Sequence, residues 1–183
     1  MSIYTPELCY SNSLSLLLTD IKSADAIIDH LLYLSPARSL LYVTDTTRVS
    51  LFPTGDFQHL SCFLSGLFAL GVLTIPHDKL NERHAWAAEG LAQTCWITYA
   101  DSVTGLGPER VKFANAYPGQ RWAKALDAWE RNGRGGGMEA PPGVREVKVE
   151  RQQWRQEYAV SDGRYMLRPE VSVQCSSQCQ WTY

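Results

Sequence analysis

The stretch from Phe57 to Leu73 constrains this chain more than any other. It is the longest apolar run, broken only by Gln58, His59, Ser61, Ser65, Gly66 and Gly71. Phe57, Leu60, Leu64, Leu67, Phe68 and Gly71 recur at helical spacing, and Phe63 and Leu70 widen the face they form. The pattern predicts a helix from about Asp56 to Leu73. Its polar interruptions make it a buried helix rather than a membrane span. A helix this apolar needs cover on most sides, so it is expected at the centre of the fold.

Upstream, Ser13–Thr19 alternates Leu14, Leu16 and Leu18 with small polar residues, with Leu17 as the exception, and reads as a strand. Ser23 is placed to cap a helix reaching Leu34, with Ile27, Ile28, Leu31 and Leu32 inward and Pro36 as its stop. Ser39–Thr44 and Thr47–Phe52 are rich in β-branched and aromatic residues and flank Asp45-Thr46 as a hairpin would. Downstream, Pro76 separates a second helix, Asp78–Ala92, whose Leu80, His84, Ala87, Ala88 and Leu91 line one face. Trp96-Ile97-Thr98-Tyr99 favours a strand over Thr94–Tyr99. The order β-α-β-β-α(-β) predicts an α+β fold with a ferredoxin-like start. Helices would pack on one face of a mostly antiparallel sheet, followed by a further helix and short C-terminal strands.

The second half is more broken. Asp101–Gly119 reads as loop. Gln120–Arg131 reads as a helix, with Trp122, Leu126 and Trp129 at helical spacing. Residues 132–143 hold five glycines and two prolines, a loop or linker. Val144–Glu150, Tyr165–Leu167 and Val171–Cys175 read as short strands, while Gln153–Val160 is open to either state. The expected organisation is a core domain over 1–131, the linker 132–143, and C-terminal strands over 144–183 packing on the core.

A chain of 183 residues with this apolar content buries a sizeable core. Its net charge of -2 excludes a chain that binds nucleic acid by bulk charge. The charge is unevenly spread: residues 110–168 carry 12 basic and 7 acidic side chains. No positive region precedes the apolar run Leu14–Leu18, and no small-residue cleavage site follows it, so no signal peptide is read. The five cysteines form no regular framework. Cys9, Cys62 and Cys95 sit among apolar neighbours as small core residues would. That usage favours a reducing, cytoplasmic compartment, and the interrupted apolar run 57–73 argues for no membrane association.

Motifs for chemistry are sparse. His77, Asn81 and His84 fall at i, i+4 and i+7, with Glu89 beyond, but an asparagine in the middle makes a poor zinc set. Cys175 and Cys179 give half a zinc site with no second pair nearby. Gly133-Arg134-Gly135-Gly136-Gly137 follows a helix instead of a strand and lacks the lysine of a phosphate loop, so Gly133 reads as a helix cap. No Gly-x-Ser-x-Gly elbow is present. Asp78 and Glu82 share a face but suit a helix N-terminus. No metal site or cofactor is assigned.

The remaining feature is a basic, aromatic stretch. Arg121, Trp122, Lys124 and Trp129 lie on the predicted helix, and Arg151, Trp154 and Arg155 follow the linker. Tryptophan and arginine are the usual anchors of protein interfaces, and rings beside cations also suit nucleic acid. The expectation is therefore a non-enzymatic binding or regulatory protein. Its partner would be a protein or nucleoprotein complex, with nucleic acid as a second option. A small inhibitor of a host complex, such as a phage or plasmid anti-defence protein, would carry such a surface. The alternatives are a metal-assisted hydrolase using His77, His84 and Glu89, and a direct nucleic-acid binder.

Overall fold

The computed structural model describes residues 6–49, 52–76, 80–114, 120–136, 140–149 and 157–166. Its elements in order are α1 (Pro6–His30), β1 (Leu32–Leu34), β2 (Leu41–Val43), β3 (Asp56–Gln58), a 3₁₀ turn (His59–Cys62), α2 (Phe63–Thr74), α3 (Glu82–Ala100), β4 (Arg110–Phe113), β5 (Gln120–Arg121), α4 (Trp122–Arg131) and β6 (Tyr158–Asp162). Helices dominate. Among the described residues the strands form two small antiparallel sheets, ordered β2-β1-β5 and β3-β4-β6.

This is not the ferredoxin-like arrangement the sequence suggests. The stretch 13–19 is part of α1 and not a strand, and the helix begun there runs unbroken to His30. Leu17, which spoils the alternation, belongs to a helical period. Among the described residues, the predicted hairpin between Ser39–Thr44 and Thr47–Phe52 shows one bridge, Thr46 with Pro53, and backbone bonds from Thr47 to Phe52 and from Thr54 to Asp45; Ser50 and Leu51 lie outside those residues. The partner of β2 is instead β1, in the register Leu32↔Val43, Tyr33↔Tyr42 and Leu34↔Leu41. Thr94–Tyr99 stays helical within α3. The hydroxyls of its β-branched residues bond back to the helix, Thr94 to the Gly90 carbonyl at 3.1 Å and Thr98 to the Cys95 carbonyl at 2.7 Å. Tertiary burial overrides their strand preference.

The central helix is α3, not the apolar α2. Asn81 caps it by accepting from the Arg83 amide. The apolar alternation of β1 and β2 divides the interior into two clusters. Leu32, Leu34 and Leu41 meet Phe68, Ala87, Leu91, Trp122 and Leu126 on one side. Tyr33, Leu40 and Tyr42 meet Phe57, Cys95, Val111, Phe113 and Tyr158 on the other. Helix α3 reaches both. Gly90 lets it lie against β2, since a Cβ there would sit 2.5 Å from the Gly143 carbonyl oxygen and 2.8 Å from Leu41.

In the second half, α4 forms where the tryptophan spacing places it. Gly133 follows its end at φ 69°, the left-handed conformation of a helix-terminating glycine. Residues 146–149 of the expected strand Val144–Glu150 are irregular, and Tyr165 and Met166 are likewise outside any strand. Val171–Cys175 lies outside the described residues. Among the described residues no helix is long and apolar enough to cross a membrane.

Candidate functional site

Among the described residues, a buried polar cluster gathers at the C-terminal end of α3. Arg38 arrives on the turn between β1 and β2, Asp101 caps α3, and Glu157 and Tyr158 open β6. The Arg38 guanidinium grips Asp101 with both arms, Nη1 to Oδ1 at 3.2 Å and Nη2 to Oδ2 at 2.8 Å. The Arg38 backbone amide donates to Glu157 Oε2 at 3.1 Å, and the Tyr158 hydroxyl donates to Asp101 Oδ2 at 2.9 Å. Asp101 and Glu157 are each only 1% exposed. Buried carboxylates persist when they are paired and hydrogen-bonded, and both are.

The electrostatics follow. Burial works against the Arg38 cation, yet its hydrogen bond to Asp101 and the charges of Asp101 and Glu157 hold its pKa above the ordinary value. Burial, then the charge and hydrogen bond of Asp101, push the Tyr158 phenol well above its usual range. Both carboxylates are committed to Arg38, so the cluster holds three segments in place.

His59 lies nearby on the 3₁₀ turn, buried, with its Nε2 hydrogen-bonded to the Tyr99 hydroxyl. The 101–109 loop folds down on Tyr99: a Cβ at Gly107 would fall 2.5 Å from its ring. Between loop and sheet opens a cleft of about 360 Å³ lined by Thr98, Asp101, Ser102, Thr104, Tyr158 and Tyr165 among others. Below it Cys62 and Cys95 form a disulfide that ties the 3₁₀ turn to α3. The sequence reading treats these two cysteines as core thiols. Both are fully buried, but they are bonded to each other.

The residues singled out by sequence scatter. Trp122 is completely buried, its indole Nε1 donating to the Pro142 carbonyl at 2.7 Å, so it presents nothing to a partner. Trp129 is half-buried, edge-on to Trp86 at 5.7 Å between centroids. Arg134 lies over both rings at 5.7 and 5.8 Å and pairs with Glu82. Arg121 is half-buried in β5, and Lys124 alone is exposed. Arg151, Trp154, Arg155 and His77 lie outside the described residues. His84 is a core histidine, edge-on to Phe68 and 3.3 Å from Asp25 Oδ1. The exposed Glu89 carboxyl is raised above its ordinary pKa by local desolvation. Among the described residues no three His, Cys, Asp or Glu side chains converge as a metal site.

Arg38, Asp101, Glu157 and His59 escaped the sequence reading. Arg38 is 63 positions from Asp101 and 119 from Glu157, so no local spacing could reveal the cluster.

Comparison with known proteins supplies what spacing does not. The profile of glycosyl hydrolase family 47 matches residues 14–173. Mannosyl-oligosaccharide alpha-1,2-mannosidase IA of Spodoptera frugiperda is 37% identical over 91 residues, covering 50% of this chain and 13% of that protein. The endoplasmic reticulum mannosyl-oligosaccharide 1,2-alpha-mannosidase of Mus musculus is 37% identical over 98 residues, 54% of this chain and 14% of that protein. A probable mannosyl-oligosaccharide alpha-1,2-mannosidase 1B of Aspergillus clavatus is 27% identical over 156 residues, 82% and 23% respectively. The chain thus spans less than a quarter of the length of these relatives.

These matches overturn the expectation of a non-enzymatic binding or inhibitor protein, because the family is one of glycosidases. They also explain why a ferredoxin-like sheet is absent. The family normally builds an α/α barrel, and this chain shows part of a helical domain with a few short strands.

Proposed function

Since the chain belongs to glycosyl hydrolase family 47, we propose that it works in the hydrolysis of α-1,2-linked mannose from oligosaccharides, as part of a family-47 catalytic domain. The observation that carries this reading is the family match across residues 14–173, reinforced by relatives that are all named as α-1,2-mannosidases.

Glycoside hydrolysis generally uses two carboxyl groups flanking the scissile bond. The described clefts bring at most one carboxylate each, Asp20 in a groove between α1 and α2 and Asp101 in the cleft at the end of α3. Asp101 is held by Arg38. In this reading the Arg38 cluster and the disulfide hold the geometry of the domain. The cleft beside them is mainly apolar, with Ser102, Thr104 and Tyr165 among its lining residues.

The buried Cys62–Cys95 disulfide supports an oxidising compartment rather than the cytoplasm, since structural disulfides persist where thiols are not kept reduced.

The test is release of free mannose from an α-1,2-linked oligomannose. The 183-residue chain is assayed alone, then with a relative's catalytic domain from which the aligned segment has been removed. Mannose release in the combined sample is expected. Its absence from both samples, with the chain folded and bound to the truncated domain, would count against the reading.

A further inference from the structure

Two tryptophans meet near the N-terminal end of α3, away from the Arg38 cluster at its other end. Trp86 of α3 and Trp129 of α4 stand edge-on at 88°, with ring centroids 5.7 Å apart. The guanidinium carbon of Arg134 sits in the corner between them, 5.7 Å from the Trp86 centroid and 5.8 Å from that of Trp129. Glu82, one turn before Trp86, closes the corner and accepts from Arg134 Nη2. Two indoles and a carboxylate are the parts of a cation site: the rings attract the charge and the carboxylate orients it.

The walls of this corner are held without Arg134. Trp86 packs against the core that α3 shares, and α4 is seated by the buried Trp122 and Leu126. Arg83 clamps the two helices together, its Nη2 lying 2.8 Å from Asp127 and 3.0 Å from Glu130. The occupant is fastened differently. Arg134 carries the one side chain in Gly133-Arg134-Gly135-Gly136-Gly137. It holds φ 56° and ψ 44°, left-handed values that favour glycine. Its side chain is 51% exposed and that of Glu82 48%. A fixed receptor thus faces an arginine whose backbone strain is relieved when it leaves.

We propose that the Trp86–Trp129 corner is a binding site for the guanidinium group of a peptide arginine, and that Arg134 is its built-in occupant, displaced when another arginine enters. The chemistry selects guanidinium over other cations. Its flat face packs on an indole while its N–H groups donate to Glu82. A lysine ammonium lacks the flat face, and a fully alkylated ammonium lacks the donors. The fitting partner is a segment that carries arginine between small residues, since Gly133-Arg134-Gly135 is itself such a segment. Its entry frees residues 133–136 from their hold on α3 and α4. The inference is independent of the proposed glycosidase activity.

The Trp129 indole reports on the corner directly, because its N–H is buried and has no hydrogen-bond partner among the described residues. The full 183-residue chain, isotope-labelled, is titrated with acetyl-Gly-Arg-Gly-amide while the indole N–H signals are followed by NMR. Arg134→Gly suits the left-handed backbone and empties the corner, and Arg134→Asn is a second variant that tolerates that conformation. In both, the Trp86 and Trp129 signals should shift saturably, with a midpoint about tenfold or more below that of the native chain, where Arg134 competes. Adding Glu82→Gln to Arg134→Gly should raise the midpoint about threefold. No saturable shift in the folded variants, or equal midpoints in variant and native chains, would overturn the proposal. So would unfolding of both variants, which would make Arg134 a structural residue. Tetramethylammonium binding as well as the peptide would overturn the guanidinium class, and methylguanidinium binding where the peptide does not would overturn the peptide source.

Discussion

Arg38 and Asp101, 63 residues apart in sequence, meet in a two-armed ion pair at 2.8 and 3.2 Å. The pair binds the β1–β2 turn to the end of α3, and Glu157 and Tyr158 extend it to β6. Three segments distant in sequence are therefore joined at one buried guanidinium.

Removing that guanidinium leaves two buried carboxylates without their cation. Arg38→Ala is expected to destabilise the fold by about 3–5 kcal/mol, the usual cost of breaking a buried pair. Arg38→Lys keeps the charge but loses the fork, so it should fall between the two. Urea unfolding of the three proteins decides the order.

The disulfide closes a loop of 33 residues. Cys62→Ala/Cys95→Ala should lose about 2–4 kcal/mol by loosening the unfolded chain's constraint. Reductant should lower the thermal midpoint of the native protein and leave that of the double variant unmoved. An equal response in both would show that the bridge does not form.

Trp122 and Lys124 separate core from surface on a single helix. Trp122→Ala should cost about 3–5 kcal/mol through the cavity it leaves and the lost bond to Pro142. Lys124→Ala should stay within about 0.5 kcal/mol. Comparable losses at both positions would contradict this placement of α4.

Asp162 and Arg164 form an exposed pair on and beside β6. The side-chain and backbone hydrogen bonds of Arg164 hold the Asp162 carboxyl down, from 3.8 to about 2. A carboxyl depressed in the folded state contributes stability above its unfolded pKa and loses it as pH falls through the folded value. The window is therefore between about 4 and 2, and solvent screening keeps its effect on stability small. Carbon-detected NMR titration should place the midpoint near 2, and Arg164→Ala should return it towards 3.8.

Some of this was legible in the chain itself. The apolar period over 57–73 marks a helix, though its first residues are a strand and a 3₁₀ turn. The spacing Trp122, Leu126, Trp129 marks α4. The same spacing misleads about exposure. Tryptophan beside arginine reads as an interface, yet Trp122 fills the core and Trp129 packs on Trp86. A period says which residues share a face, and cannot say what that face meets.

What the sequence determined by itself is local: the helix through Phe68, the helix through Leu126, and the glycine that ends it at 133. Each depends on contacts within a few turns of chain. Tertiary structure decided the rest. It kept Thr94–Tyr99 helical against its strand preference, joined Cys62 to Cys95, and brought Arg38 to Asp101 and Glu157. These pairings span 33, 63 and 119 positions. Their partners are chosen by proximity after the helices pack, which no periodicity along the chain encodes.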